Sequence, residues 1–208
     1  MNRRLLGTKQ QQQQQPQDQP PQEFSPSSTI IPSTTTLTAA LSHSPPPPVV
    51  YLKNVCAWNV ETLKELHLAL FPVHYSDTFY QQVQNVGEFA KVVYLDDQAV
   101  GAICCRIEPE LQQEGKYRVY IMTLGVLAPY RRRRLGHLLL EHIVHQAQLE
   151  PTITRIYLHV QTLNTPALAF YHGHGFQKVA LARDYYKNIP NKDAYVVVRN
   201  IPHGDPSS

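Results

Sequence analysis

Large apolar residues are concentrated after position 48, and this boundary limits which part of the chain can fold. Residues 1–48 contain a glutamine tract over 10–15 and Pro/Ser/Thr-rich sequence that ends in four prolines. Too few large apolar side chains cluster there to offset the entropy cost of ordering the backbone. The sequence therefore predicts a disordered tail over 1–48, a folded domain over 49–202 and a flexible C-terminus over 203–208.

Within the folded region, short apolar strands alternate with amphipathic helices. Apolar side chains recur with the period of a helix in 59–70, 76–85 and 164–175, and again after residue 134, where Leu135, Leu139 and Ile143 share one face. Runs rich in β-branched and aromatic residues predict strands at 49–55, 90–95, 99–107, 117–127, 153–160, 176–183 and 194–200. This order predicts one α/β domain, a sheet with helices on both faces, large enough for a single core.

Polar residues mark the ends of several predicted elements. Asn59, Ser76 and Asn164 stand directly before helical segments, where their side chains can cap the first free N–H groups. Asp96 and Asp97 separate two apolar strands and predict a hairpin turn.

Charge and cysteine content argue against several classes of protein. The 19 Lys and Arg exceed the 16 Asp and Glu by only three, so we expect no direct nucleic-acid binding. The three cysteines are an odd number without CxxC spacing, which argues against a disulfide framework and favours a reducing compartment. No apolar run approaches the roughly 20 residues of a membrane-spanning helix, so we expect no membrane partner. The basic first residues have some character of a transit peptide, but the glutamine tract argues against one.

The segment LAPYRRRRLGHLLL places four arginines between a predicted strand and a predicted helix. Backbone N–H groups at a helix start, together with the helix dipole, attract anions, and arginine binds phosphate through two hydrogen bonds at once. The segment therefore indicates a site for the phosphates of a small cofactor. Taken alone, it is equally consistent with a solvated basic turn.

The segment NTPALAFYHGHGF supplies a second motif. By itself it is an ordinary capped helix, but together the two segments resemble the coenzyme A site of the GNAT acetyltransferase superfamily. In that family an R/Q-x-x-G-x-G/A turn holds the pyrophosphate, and an N-x-x-A-x-x-F-Y-x-x-x-G-F helix flanks the pantetheine arm. The second motif is matched at every position. The resemblance implies a GNAT fold, with a mixed and mostly antiparallel sheet, and acetyl-CoA as co-substrate.

Four further segments narrow the resemblance. FPVHYSDTFY, YIMTLGVLAPYRR, IYLHVQTLN and DYYKNI resemble the NatE type of protein N-terminal acetyltransferase, over about 49–201. The resemblance implies acetylation of protein N-termini that begin with Met and an apolar residue. It also implies association with the NatA complex and the ribosome, in the cytoplasm and the nucleus. Two alternatives stay open: activity on lysine side chains, and a catalytically silent subunit of such a complex.

The resemblance also assigns roles to individual residues. It implies that Tyr120 and His159 are the general-base candidates. Cofactor binding is implied for Leu124, Val126, Arg131, Arg132, Arg134, Gly136, Asn164 and Tyr171. A pocket for the first substrate side chain is implied for Phe71, Pro72, Val73 and Tyr75, and a grip on the substrate main chain for Tyr185, Tyr186 and Ile189.

The chemistry of acetyl transfer fits these residue types. Attack on a thioester needs a neutral amine, and an α-amino group with a pKa of about 7.7–8.0 is neutral far more often than lysine at about 10.4. A histidine and a tyrosine, working through a water molecule, are then enough to accept the proton. Backbone N–H groups of Leu124 to Val126 are expected to meet the thioester oxygen. Outside this family, a strand tyrosine or histidine is more often a packing residue.

One position departs from the family pattern. Without gaps, Arg131 takes the first position of the pyrophosphate motif, Gly136 the last, and Arg134 replaces the first glycine. Glycine there permits close backbone approach or a positive φ, so arginine either crowds the phosphate or contacts it. A register that starts at Arg133 restores the glycine but puts Leu138 at the small position, and we prefer the ungapped one.

Three histidines follow on the same predicted helix, His137, His142 and His145. Their spacing lacks a partner cluster of metal ligands. We therefore expect no metal and interpret them as partly exposed helix residues.

Overall fold

The computed structural model describes residues 47–71, 73–187 and 190–203. Within these ranges lie seven strands and four α-helices. The predicted tail lies outside the described residues except for 47 and 48, and of the predicted C-terminus only His203 is described. In chain order the elements are β1 (Val50–Asn54), α1 (Val60–Leu70), α2 (Asp77–Val83), β2 (Ala90–Leu95), β3 (Gln98–Pro109), β4 (Tyr117–Val126), α3 (Leu135–Leu149), β5 (Ile153–Gln161), α4 (Thr165–Gly173), β6 (Gln177–Ala182) and β7 (Ala194–Asn200).

The seven strands form one sheet in the order β1-β2-β3-β4-β5-β7-β6. Neighbouring strands are antiparallel except for β4 and β5, which are parallel and joined by the crossover helix α3. The pairing of β4 with β5 ends at Tyr120 and Tyr157, although both strands continue. With helices covering both faces, the predicted mixed and mostly antiparallel fold is confirmed.

Helix α3 buries the face on which the sequence places its regularly spaced apolar residues. The predicted apolar face is buried and packs against β3, β4 and β5. Removing these side chains from water is the main contribution to the stability of α3 on the sheet, because each fully buried Leu or Ile contributes about 1.5–3 kcal/mol. The buried residues of the helix are Leu135, Leu139, Leu140, Ile143, Val144 and Ala147.

Two of the three predicted helix caps are confirmed. Ser76 Oγ accepts a hydrogen bond from Phe79 N–H at 3.3 Å, and Asn164 Oδ1 accepts one from Ala167 N–H at 3.0 Å. Asn59 stands at the N-cap position of α1, but its side chain makes no cap. Its Oδ1 accepts from the backbone N–H of Cys56 at 2.8 Å and its Nδ2 donates to a β1 carbonyl, so this residue closes the loop before the helix.

Strand β3 is longer than predicted. The predicted strand ends at residue 107, whereas β3 continues through Glu108 to Pro109. The Glu108 carboxylate accepts a hydrogen bond from Tyr157 Oη at 2.6 Å and lies 3.2 Å from an Arg118 nitrogen. These partners on β5 and β4 keep a charged residue inside the sheet.

A buried histidine joins α1 and α2 to the sheet. His67 is 1% exposed, with Nδ1 3.3 Å from Tyr80 Oη and Nε2 3.4 Å from Thr123 Oγ1. Its ring lies 5.4 Å from that of Phe71 and 4.9 Å from that of Tyr75, centroid to centroid. Burial lowers the pKa of His67 to about 4, so the imidazole is neutral near pH 7.

Acid should destabilise the domain through His67. In the unfolded chain this imidazole takes up a proton near pH 6.5, and in the folded chain only near pH 4. Between these values the unfolded state binds more protons, so the free energy of unfolding should fall as the pH drops, by up to about 3 kcal/mol from this group. Urea unfolding of His67→Gln, followed by circular dichroism, should show a shallower dependence on pH than the wild type. His145→Gln, on the exposed side of α3, should keep the wild-type slope, and equal slopes in all three proteins would contradict this account.

Candidate active site

A cleft of about 720 Å³ opens where β4 and β5 diverge. Its walls are the end of β4, the arginine turn, the first turn of α3 and one side of α4, with Leu70 and Phe71 also lining it. The structure brings together all eight residues predicted to bind the cofactor: Leu124, Val126, Arg131, Arg132, Arg134, Gly136, Asn164 and Tyr171.

The arginine turn keeps a glycine-like backbone without glycine. Arg132 and Arg134 have φ of 63° and 60°, in the left-handed region that non-glycine residues adopt at a cost of about 1–2 kcal/mol. Arg134 is the N-cap residue of α3, and Arg131 Nε donates to the carbonyl of Val126 at 3.0 Å. Arg133 does not line the cleft; its guanidinium lies over the ring of Tyr130 at 5.7 Å.

The start of α3 has the properties of an anion site. The helix has no side-chain N-cap and no acidic residue in its first turn, and three arginines line the cleft beside it. A Cβ added to Gly136 would meet the protein only at Phe170, at an ordinary 3.8 Å. Packing within the protein therefore does not require glycine at this position. Its small size instead leaves space in the cleft, so these residues fit the pyrophosphate of a CoA-type cofactor.

Two of the predicted cofactor residues also support the fold. Asn164 uses its side-chain oxygen to cap α4, so its amide nitrogen is the group that could contact a cofactor. Tyr171 is 3% exposed and packs edge-to-face against both Phe170 and Phe176.

The two general-base candidates lie within one hydrogen-bonded cluster. Tyr120 Oη is 2.8 Å from Tyr185 Oη and 3.3 Å from His159 Nδ1. The rings of His159 and Tyr185 are stacked, with centroids 3.9 Å apart. Tyr186 Oη lies 3.5 Å from the backbone carbonyl of His159. Two neighbouring strands and the loop after β6 thus hold four polar aromatic groups in contact.

Burial sets the protonation of this cluster. It lowers the pKa of His159 to about 4, against an opposing effect of the Glu108 carboxylate. It raises the pKa of Tyr120 well above its usual value, and the neighbouring Tyr185 adds to the rise. Near pH 7 the imidazole is therefore neutral and able to accept a proton. The phenol is protonated, so Tyr120 can relay a proton but is not a phenolate base.

Of the predicted substrate residues that the structure describes, Tyr185 and Tyr186 belong to this cluster, and Phe71, Val73 and Tyr75 lie in the segment between α1 and α2. Phe71 is buried, Val73 is half-buried, and Tyr75 stacks on Phe79 with ring centroids 4.6 Å apart. Tyr186 lies close enough to Tyr75 and to Tyr120 to help raise the pKa of both phenols. The two remaining predicted residues, Pro72 and Ile189, lie outside the described residues.

An ionic group beside the cluster was missed in the sequence. Glu108 accepts from Tyr157, and Arg106 binds the same carboxylate through Nε at 2.9 Å while lying over the ring of Tyr120 at 5.2 Å. Alternation along β3 could have indicated it, because Arg106 and Glu108 share one face of that strand. The strand predicted over 99–107 leaves Glu108 out, so this pair was not predicted.

The sequence of the chain matches the model of a known protein family. A family model described as the Acetyltransferase (GNAT) family matches residues 57–176. The chain belongs to this GNAT acetyltransferase family. N-alpha-acetyltransferase 50 of Danio rerio is 43% identical over 152 residues, which cover 73% of this chain and 89% of that protein. The probable N-acetyltransferase san of Drosophila melanogaster is 42% identical over 159 residues, 76% of this chain and 85% of that one.

The chain is also similar to a solved structure. Arabidopsis thaliana Naa50 in complex with the bisubstrate analogue CoA-Ac-MVNAL has a TM-score of 0.68 and 45% identity, and the match covers 72% of this chain and 97% of that one. The predicted family, and the predicted class of acetyl-CoA-dependent N-terminal acetyltransferase, are therefore confirmed.

Replacing Arg134 with glycine should separate its backbone role from its charge. Arg134→Gly removes the left-handed strain and should raise the free energy of unfolding by about 1 kcal/mol. It also removes a charge that lines the cleft and should weaken acetyl-CoA binding about fivefold, on the order of 1 kcal/mol. Denaturant unfolding and calorimetric titration with acetyl-CoA measure the two effects.

The matched control is Arg133→Gly, which lies in the same turn but has no positive φ and does not line the cleft. It should not stabilise the fold and should leave acetyl-CoA affinity nearly unchanged. Tighter acetyl-CoA binding by Arg134→Gly would show that the arginine crowds the cofactor.

Proposed function

We propose that the protein acetylates the N-terminal amine of proteins that begin with Met followed by an apolar residue. The observation that carries this proposal is the junction of a cationic cleft with a neutral cluster of aromatic side chains, His67, Phe71 and Tyr75, of which Phe71 also lines the cleft. The analogue bound to Arabidopsis Naa50 carries the peptide MVNAL. Because the two chains are 45% identical, we propose that the substrate of this protein also begins with Met.

These aromatic residues favour an uncharged, flexible side chain at the first position of the substrate. The rings of Phe71 and Tyr75 lie edge to face with their centroids 6.1 Å apart, and both are tilted against the ring of His67, whose pKa burial lowers to about 4. No formal charge near pH 7 is contributed by these three groups. An unbranched thioether fills irregular aromatic space and gains sulfur–aromatic contacts, whereas a charged side chain would lose hydration without a partner.

The proton of the substrate amine has a path through the chain's own residues. When bound, acetyl-CoA supplies an activated acetyl thioester; the residues around it determine which amine can react. We propose that Tyr185 donates to Tyr120 and that Tyr120 donates to His159 Nδ1, which leaves the Tyr120 oxygen facing the amine. As the C–N bond forms and the C–S bond breaks, Tyr120 accepts the amine proton and passes its own to His159. The leaving thiolate is then protonated from this relay or from solvent.

The same relay favours α-amines over lysine side chains. It needs a substrate that is already neutral, because an imidazole with a pKa of about 4 is a weak base. An α-amino group near pH 7.4 meets that requirement several hundred times more often than lysine. We therefore propose lysine acetylation as a slower side activity.

We further propose that the protein associates with the NatA complex and the ribosome, in the cytoplasm and the nucleus. This rests on its likeness to the NatE type of N-terminal acetyltransferase. Within the described part of the chain, no helix is long and apolar enough to cross a membrane. Affinity purification of the full chain, with NatA subunits and ribosomes as the scored partners, tests the association.

Removing either group of the relay should slow chemistry and leave cofactor binding intact. Tyr120→Phe and His159→Ala should each lower kcat by about ten- to a thousand-fold, with acetyl-CoA affinity largely kept. Neither effect need be absolute, because an α-amine loses its proton readily. Single-turnover kinetics on a Met-Leu peptide isolate the chemical step, and wild-type rates in both variants would identify the two residues as packing groups.

Truncating the pocket should affect the peptide and not the cofactor. Phe71→Ala should raise KM for Met-Leu peptides about tenfold or more, because a buried aromatic contact of roughly 1.5–3 kcal/mol is lost. Acetyl-CoA affinity should change little by comparison. Leu68→Ala, exposed on α1, is the matched control and should behave like the wild type. An unchanged KM in Phe71→Ala would place the first substrate side chain elsewhere.

A further inference from the structure

A second cluster of polar groups lies at the edge of the cofactor cleft, between α3 and the end of α4. His137 and Glu141 are four residues apart on one face of α3, and His174 follows the last turn of α4. One ligand atom from each residue lies within 4.8 Å of the others. His174 lies 37 residues after His137 and on a different element, so the spacing of histidines along α3 does not indicate this group.

The hydrogen bonds of His174 orient it as a ligand. Its Nδ1 is 2.7 Å from the backbone carbonyl of Phe170, which can only accept, so Nδ1 carries the hydrogen. In the neutral ring Nε2 then has the lone pair, and this atom lies 2.8 Å from His137 Nδ1. A carbonyl that fixes the tautomer of a histidine is the usual outer partner of a metal-binding imidazole.

We propose that His137 Nδ1, His174 Nε2 and a Glu141 carboxylate oxygen form a site for a divalent transition metal of the Zn²⁺ type. Two imidazole nitrogens and one carboxylate are a typical three-ligand set for Zn²⁺. With Zn–N bonds of about 2.0–2.1 Å, tetrahedral geometry sets the nitrogens about 3.3 Å apart. The pair would need to open by only about 0.5 Å from its present hydrogen-bond distance. Binding moves the His137 hydrogen from Nδ1 to Nε2 and requires no net loss of a proton from the neutral pair.

The fourth coordination position faces the cleft. Both histidines line the cleft and Glu141 does not, so the carboxylate approaches the ion from behind. Positively charged side chains nearby limit the affinity for a cation. Arg199 Nη1 lies 3.7 Å from Glu141 Oε1 and also donates to the His174 carbonyl, and the cleft arginines lie on the same wall. The site is therefore exchangeable rather than structural.

Calorimetric titration of Zn²⁺ into the tag-free full chain tests the site. His137→Asn, His174→Asn and Glu141→Gln should each weaken one binding event at least about tenfold. His145→Asn on α3 and His172→Asn on α4 remove exposed histidines of the same helices and should leave that event unchanged. Thermal unfolding without metal checks that each variant folds. If a histidine variant does not fold, the Zn²⁺ affinity of Glu141→Gln, a substitution at a half-buried surface position, tests the site instead.

Co²⁺ provides a spectroscopic test of the open position. Visible absorption of the Co²⁺-loaded chain should show a four- or five-coordinate ion and should change on addition of azide. Unchanged Zn²⁺ affinity in all three ligand variants, or the absence of any Zn²⁺ binding, would overturn the proposal. A Co²⁺ spectrum insensitive to azide would overturn the open position. None of these readouts depends on acetyltransferase activity.

Discussion

The divergence of β4 from β5 is the constraint on which the rest of the structure depends. The two parallel strands pair only as far as Tyr120 and Tyr157, and α3 crosses between them. Beyond that point the β5 side of β4 no longer meets a strand, and Leu124 to Val126 line a cleft. Tyr120 occupies the last paired position of β4, opposite Tyr157 on β5, and His159 lies two residues after Tyr157. The fold thus places the proposed proton relay where the cleft begins.

Electrostatics divide this site into two halves. The α3 side carries three arginines and the start of a helix, which suit a polyanionic cofactor. On the other side, burial lowers the pKa of both His67 and His159 to about 4 and raises that of Tyr120. Both histidines are therefore neutral near pH 7. A neutral half suits a neutral amine and an apolar side chain, and in the proposed function acetyl transfer occurs where the two halves meet.

What could be predicted from the sequence was local or carried by family motifs. The apolar phase of α3, the caps at Ser76 and Asn164, and the residues of the cleft follow from short segments whose spacing is fixed by a helix or a turn. The ungapped register of the arginine turn also fits the structure, since Arg134 adopts the positive φ that glycine would take. Asn59 was predicted as a helix cap because its position allows it, but tertiary contacts with the preceding loop use its side chain first.

Groups that combine distant segments could not be predicted in this way. The Glu108 carboxylate on β3 depends on Tyr157, 49 residues later, and His137 meets His174 across 37 residues. Neither pairing leaves a period or a short motif in the sequence. Such contacts are specified by the packing of the sheet and its helices, and they appear only when the whole domain is assembled.

The central claim is that this cleft delivers acetyl to an α-amine, and locating the transferred group tests it most directly. A peptide that begins with Met-Val and contains one internal lysine, incubated with acetyl-CoA and the full chain, can be mapped by tandem mass spectrometry. The account predicts that the acetyl group accumulates first on the N-terminal amine. Acetylation of the lysine before the N-terminus would contradict the proposed substrate. Binding of acetyl-CoA without any acetylated product would indicate a catalytically silent subunit instead.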